Sequence, residues 1–293
     1  MTLVIVLAYA VGASAGFAIA RTGKLAGEWR IFIRTQLLLS SALISLLAGW
    51  QLGGWSDLLW PVLVTGICVL LIGVAYLLTP RSPSRAAHAV LGGWSAIPNP
   101  SFWLVPMSDA IAGTAGVVVA VFVDRLARAV FGVFVWILRR HAPIPQRKRT
   151  SFIDEAPFIA LVVGLVLNYF SDAPAWTGTV IEWAAPVLAA TGAAVFVGSV
   201  MHPSQRIPWR PGVRVWVILT VVRIALMVPL VLLAPTPAIA VVLVLGTFSI
   251  PAFFPPQFSV LFGYADSVVA ASVRLAWFLA PIGVVAGLFI MRQ

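Results

Sequence analysis

Ten apolar stretches, each about as long as a bilayer is thick, run through this 293-residue chain, and no soluble domain of any size is left between them. They cover approximately residues 2–20, 35–50, 57–79, 88–112, 115–138, 156–171, 179–200, 215–234, 238–262 and 268–291. A helix rises about 1.5 Å per residue, so roughly 20 residues cross the hydrocarbon layer. Lipid offers no water to a backbone N–H or C=O, and a helix satisfies both within itself. The predicted class is therefore an all-α polytopic membrane protein of ten spans. Composition points the same way: 61% of residues are hydrophobic, 10% are charged, and the mean hydropathy is +1.03. Soluble domains hold about 45–50% apolar residues and about a quarter charged. No soluble core of this size could hide the difference, which excludes a soluble enzyme, a disordered chain and a disulfide-built secreted domain. Cys68 is the single cysteine and reads as a buried bystander.

The net charge of +10, with an isoelectric point near 11.2, would suggest nucleic acid in a soluble protein. Here the basic residues sort by loop. Residues 21–34 carry Arg21, Lys24, Arg30 and Arg34; residues 80–88 carry Arg81 and Arg85. Residues 139–155 carry Arg139, Arg140, Arg147, Lys148 and Arg149, and residues 201–214 carry Arg206, Arg210 and Arg214. These loops follow spans 1, 3, 5 and 7 and hold fourteen of the nineteen Lys and Arg. The alternate loops hold Asp57, Asp109 and Asp172 with no Lys or Arg, and 263–267 offers only Asp266. Basic loops stay cytoplasmic, so both termini are expected outside and the linker inside, in a cell membrane. Residues 1–20 lack the leading positive charge of a cleaved signal peptide, so span 1 is expected to stay. No nucleic-acid partner is expected; the partner surface is the bilayer.

The linker at 141–155 separates a first set of five spans, residues 1–140, from a second, residues 156–293. An odd number per half makes the second half enter from the opposite face, the inverted-repeat plan of many secondary transporters. Corresponding spans then carry corresponding irregularities. Span 4 contains Pro98, Asn99, Pro100, Ser101, Phe102 and, further on, Pro106; span 9 contains Pro251, Pro255, Pro256 and Gln257. Each proline removes a backbone donor and clashes with the carbonyl four residues back, so both spans are expected to be broken. A break within the membrane survives where it is buried in protein or lines a cavity, and paired breaks point to a transport site. Pro186 and Pro229, each single in its span, are expected only to kink their helices.

Charges inside the spans form the second set of candidates. Asp124 and Arg128 share a face of span 5 at i,i+4 spacing beside Arg125, and span 10 holds Arg274. Asp124 and Arg274 follow their proline clusters at similar distances, which would bring both near the breaks. There Asp124 serves as proton site or counter-charge and Arg274 adds positive field; alternatively Asp124 and Arg128 neutralise one another. Arg128 and Arg223 can also extend toward the cytoplasmic surface on their long stems. Asp109 and Glu182 fall near predicted outer ends and read as interfacial. His88, His141 and His202 read as solvated, with no metal-ligand spacing, and no cofactor motif or nucleophile–base set is present. Trp50, Trp55, Trp94, Trp209 and Trp216 read as interfacial anchors, and Gly12 with Gly16 as a close helix-packing pair.

The span 4 sequence Asn99-Pro100-Ser101-Phe102-Trp103-Leu104-Val105-Pro106 resembles the Asn-x2-Phe-x3-Pro pattern of the auxin efflux carrier family, which takes in PIN-type plant carriers and bacterial relatives. Gly16 through Leu25, Gly164 to Asn168, Ala185-Pro186, Arg223 with Pro229, and Pro251 through Gly263 are similar to further parts of its pattern. Ser101 and Leu104 stand where the family usually has Gly, and span 2 lacks a common proline. The resemblance implies two inverted five-helix repeats whose broken helices 4 and 9 cross at mid-membrane. It also implies elevator-type alternating access and a small organic anion as substrate, with the Asn99 amide on its carboxylate. A proton or sodium ion could couple to it, and a homodimer is compatible with it. Two other readings remain open on the residues: a sodium- or proton-coupled exchanger or symporter of the same fold with Asp124 as ion site, and a membrane sensor or scaffold that binds without transporting.

Overall fold

The computed structural model describes residues 1–22, 40–82, 85–141, 155–200, 208–250 and 266–293. Most of the basic stretches 21–34 and 139–155, half of 201–214, and Pro251, Pro255, Pro256 and Gln257 lie outside them. Every regular element among the described residues is helical: α1 (Thr2–Thr22), α2 (Ala42–Trp50), α3 (Leu59–Leu78), α4 (Arg85–Ser95), α5 (Val105–His141), α6 (Ala156–Phe170), α7 (Trp176–Val200), α8 (Val213–Leu232), α9 (Pro237–Thr247), α10 (Ser267–Leu275) and α11 (Ala280–Ile290). Each of the ten predicted apolar stretches contains helix. Five segments have the length and apolar make-up to cross a membrane, and the bent pair α10–α11 would be a sixth. Leu3, Val11, Leu77, Trp183, Leu232 and Val285 are between 66% and 80% exposed. Apolar side chains turned outward on this scale belong in lipid rather than water.

Although α5 spans 37 residues, it is not one rod. Gly113 has φ 62° and ψ −157°, a left-handed conformation that only glycine adopts without strain. Beyond it the chain folds back: a Cβ on Gly116 would stand 3.0 Å from the Ser108 carbonyl oxygen, eight residues earlier. In a straight helix those positions are about 12 Å apart. The gap between the fourth and fifth apolar stretches is thus a hairpin with arms 105–112 and 114–141. Pro186 and Pro229, by contrast, sit inside the unbroken helices α7 and α8.

The chain forms two compact units, and each draws on both halves of the sequence. The first comprises Met1–Pro61, Pro100–Arg125 and Lys148–Met201. Here α1 packs along α7 and α2 along α6. Both pairs meet at small residues. Added Cβ atoms on Gly12 and Gly16 would lie 1.9 Å and 2.3 Å from the carbonyl oxygens of Ala190 and Ala194, and one on Gly164 would lie 2.1 Å from that of Leu46. The Gly12–Gly16 repeat therefore seats one helix backbone on another, as its spacing suggested. Asn168 ties down the end of α2, its amide donating to the carbonyls of Trp50 at 2.6 Å and Leu52 at 3.1 Å. The Trp50 indole donates to Ser171 O at 3.0 Å and meets Trp176 edge-on.

The second unit comprises Val62–Asn99, Leu126–Arg147 and His202–Gln293. Leu71 and Ala75 of α3, Ala89 of α4, Ala96 and Leu219 of α8 form one buried cluster, and Trp216, Ala271 and Ala276 a second. Cys68 is buried on α3. Thr236 caps α9, and Asp266 caps α10 by accepting from Val268 and Val269 N–H at 2.8 and 3.1 Å.

Candidate functional site

In the second unit two helices stop inside the protein. The approach of Pro98 denies α4 another regular turn, so the chain tightens instead. Ala96 N–H donates to Gly93 O at 3.1 Å and Ile97 N–H to Trp94 O at 3.0 Å. Ala96, Ile97, Pro98 and Asn99 are all buried, and Asn99 is 2% exposed. α9 likewise ends at Thr247, four residues before Pro251, and Ser249 and Ile250 run on irregular and buried. The two ends are tied together: Asn99 N–H donates to Ile250 O at 3.1 Å. The expected break in span 4 is present, and in span 9 the helix stops just before the proline cluster.

Arg223 serves this junction. Of its two readings, a charge within the span or a stem reaching the surface, the first holds: it is 3% exposed and its Nη1 donates to Ala96 O at the end of α4. A cation at a helix C-terminus meets the negative end of the dipole and a carbonyl that has no partner in its own helix. No carboxylate pairs with it among the described residues. Replacing Arg223 by Met strands the Ala96 carbonyl and is expected to cost about 1–3 kcal/mol. Denaturant titration in detergent would measure the loss, with Arg223→Lys recovering part of it.

In the first unit the chain re-enters helix through Pro100–Leu104, wound as π-helix, the wide form that often marks functional positions. Ser101 Oγ donates to Asp124 Oδ2 at 2.7 Å, and the same oxygen lies 2.7 Å from Arg125 Nη1. Arg125 is held in turn by Ser45 Oγ at 2.9 Å on Nε and Ser41 Oγ at 2.6 Å on Nη2. Asp124 thus pairs with the adjacent Arg125, and the considered Asp124–Arg128 pair falls on a side chain outside the described atoms. Phe102 lies against Gly192 of α7, where a Cβ would fall 2.4 Å from its own, and its carbonyl accepts from Tyr9 Oη at 2.6 Å.

Three expectations change. Arg274 is exposed, with its guanidinium over the Trp209 ring at 5.6 Å, so it adds no buried positive field. His88 is not merely solvated: Nδ1 lies 2.9 Å from Oδ2 of the buried Asp266. Asp109 is buried rather than interfacial, at 4% exposure. Ser41, Ser45 and Tyr9 were not singled out in the sequence. Two serines four apart within an apolar stretch, on one helix face, were the available signal.

No protein-family profile matches the chain, and no curated protein matches it in sequence. The likeness to auxin efflux carriers rests on the motifs quoted above. What the fold defines is an all-helical chain with the make-up of a polytopic membrane protein.

Proposed function

We propose that the chain is a secondary active or facilitative transporter of a small organic carboxylate, working by elevator-type alternating access across a cell membrane. The observation that carries this reading is the buried meeting of two helix ends, Asn99 N–H on Ile250 O, beside the buried cation Arg223. Irregular backbone within an apolar fold is tolerated where it surrounds a ligand or cavity. Arg223 pairs with no carboxylate among the described residues, and such a buried cation suits an anion. In this reading the ten apolar stretches all span, as two inverted repeats with helices 4 and 9 crossing. Both termini lie outside and the basic linker inside. The Asn99 amide, with the segments Pro98–Phe102 and Pro251–Gln257, binds the carboxylate.

The test is uptake of labelled mono- and dicarboxylates by proteoliposomes. A hydrogen bond to a charged ligand contributes about 1.5–3 kcal/mol, so Asn99→Ala should lower uptake at sub-saturating substrate at least about tenfold. Uptake of no carboxylate by the wild type, or equal uptake by Asn99→Ala, would overturn the proposal. Saturable binding without flux would favour a sensor instead.

A further inference from the structure

The short arm 105–112 of the α5 hairpin carries a carboxylate that the anion-binding reading does not use. Asp109 stands four residues before the Gly113 turn and is 4% exposed, and neither of its oxygens has a hydrogen-bond partner among the described residues. The neighbouring Ser108 hydroxyl, fully buried, also has none. Asp124, the acid that the sequence singles out, is in the opposite condition. It accepts from Ser101 at 2.7 Å and pairs with Arg125 at 2.7 Å.

An ionised carboxylate removed from water without donor or counter-ion is costly, and a single bound proton removes the charge. The charged groups whose fields reach Asp109 are Glu182 of α7, which repels it, and the Met1 amino group at the start of α1, which attracts it. Neither forms an ion pair with it. Asp124 and Arg125, on the long arm of the same hairpin, are engaged with each other. The turn beside Asp109 reaches the surface, since Ala110 through Thr114 are only partly buried and Ala115 is exposed. A proton therefore has a short way in.

We infer that Asp109 is a proton-binding site, distinct from the Asn99 junction. The step is a simple acid–base exchange: hydronium gives a proton to a carboxylate oxygen and leaves as water, and the arm loses one negative charge. The site gives the protein a place to couple proton movement to whatever it does, and it does not depend on the transported species being an anion.

Infrared difference spectra of the full chain in lipid vesicles, taken between acid and alkaline pH, test this directly. The wild type should show the high-frequency carbonyl band of a carboxylic acid in dry surroundings, shifting in deuterated water and titrating with pH. Asp109→Asn should abolish the band, while Asp124→Asn and Glu182→Gln should keep it. Asp109→Glu should restore it at a shifted position, which decides the matter if Asp109→Asn does not fold. A wild type without a titrating band, or a band that survives in Asp109→Asn, would overturn the inference. Because no substrate enters the measurement, its outcome is independent of the carboxylate uptake test.

Discussion

Arg125→Met should unfold about 3–5 kcal/mol more readily than the wild type, the usual cost of removing one member of a buried ion pair. The effect is large because both side chains are almost fully withdrawn, at 3% and 4% exposure. Without the guanidinium, Asp124 loses its counter-ion at 2.7 Å, and Ser41 and Ser45 lose the donor that they share. Asp124→Asn poses the converse problem, a buried cation deprived of the carboxylate at 2.7 Å. The double variant Asp124→Asn/Arg125→Met carries no uncompensated charge, so its loss should fall well short of the sum of the two singles. Unfolding of all three in mixed detergent micelles provides the cycle. A cost below about 1 kcal/mol for Arg125→Met would be that of a solvated surface pair and would contradict the burial described.

Combined replacement of Gly12 and Gly16 by alanine should do still more damage. Overfilling a packed interface usually costs about 1–3 kcal/mol per site, when neighbouring side chains can yield. Here the obstacles are the Ala190 and Ala194 carbonyl oxygens, 1.9 and 2.3 Å from the new methyl groups. The backbone of α7 cannot turn aside, so α1 must lift off along its length, and the double variant should fail to yield a folded, monodisperse protein. Gly66→Ala and Gly73→Ala on α3 are the controls, since nothing among the described residues lies within 4 Å of a Cβ at either position. There the methyl group only restrains the unfolded chain, and stability should hold or rise by about 0.4–1 kcal/mol. Equal effects at both pairs would show that the close contact between α1 and α7 is not as described.

What the sequence discloses about this protein is whatever depends on local chemistry. Apolar runs place the helices, since lipid leaves the backbone no alternative. Pro98 marks the end of α4, and Gly12 and Gly16 mark the α1–α7 contact, because both act on the backbone within a residue or two. Partnerships across the fold are another matter. Spacing on one helix drew attention to Asp124, but not to the pair it makes with adjacent Arg125, whose guanidinium is held by Ser41 and Ser45 at the start of α2. Arg223 looks, in sequence, like any arginine with a stem long enough to reach water. It turns inward because a helix ends at Ala96, a fact held 127 residues away. Asp109 misleads for a similar reason: its proximity to a span end implies solvent, whereas beside the Gly113 turn it is 4% exposed.

The backbone seating of α1 on α7 has a mechanical consequence. Interfaces made of side chains absorb small shear displacements by changing rotamers. Carbonyl oxygens fitted beneath glycine Cα atoms leave no such slack, so the two helices behave as one strut. Glu182 and the Met1 amino group ride on that strut, so the electrostatic surroundings of Asp109 are fixed on one side. Thr2 Oγ1 donates to Ala110 O at 2.9 Å, so the short arm that carries Asp109 is fastened to the same strut at the start of α1.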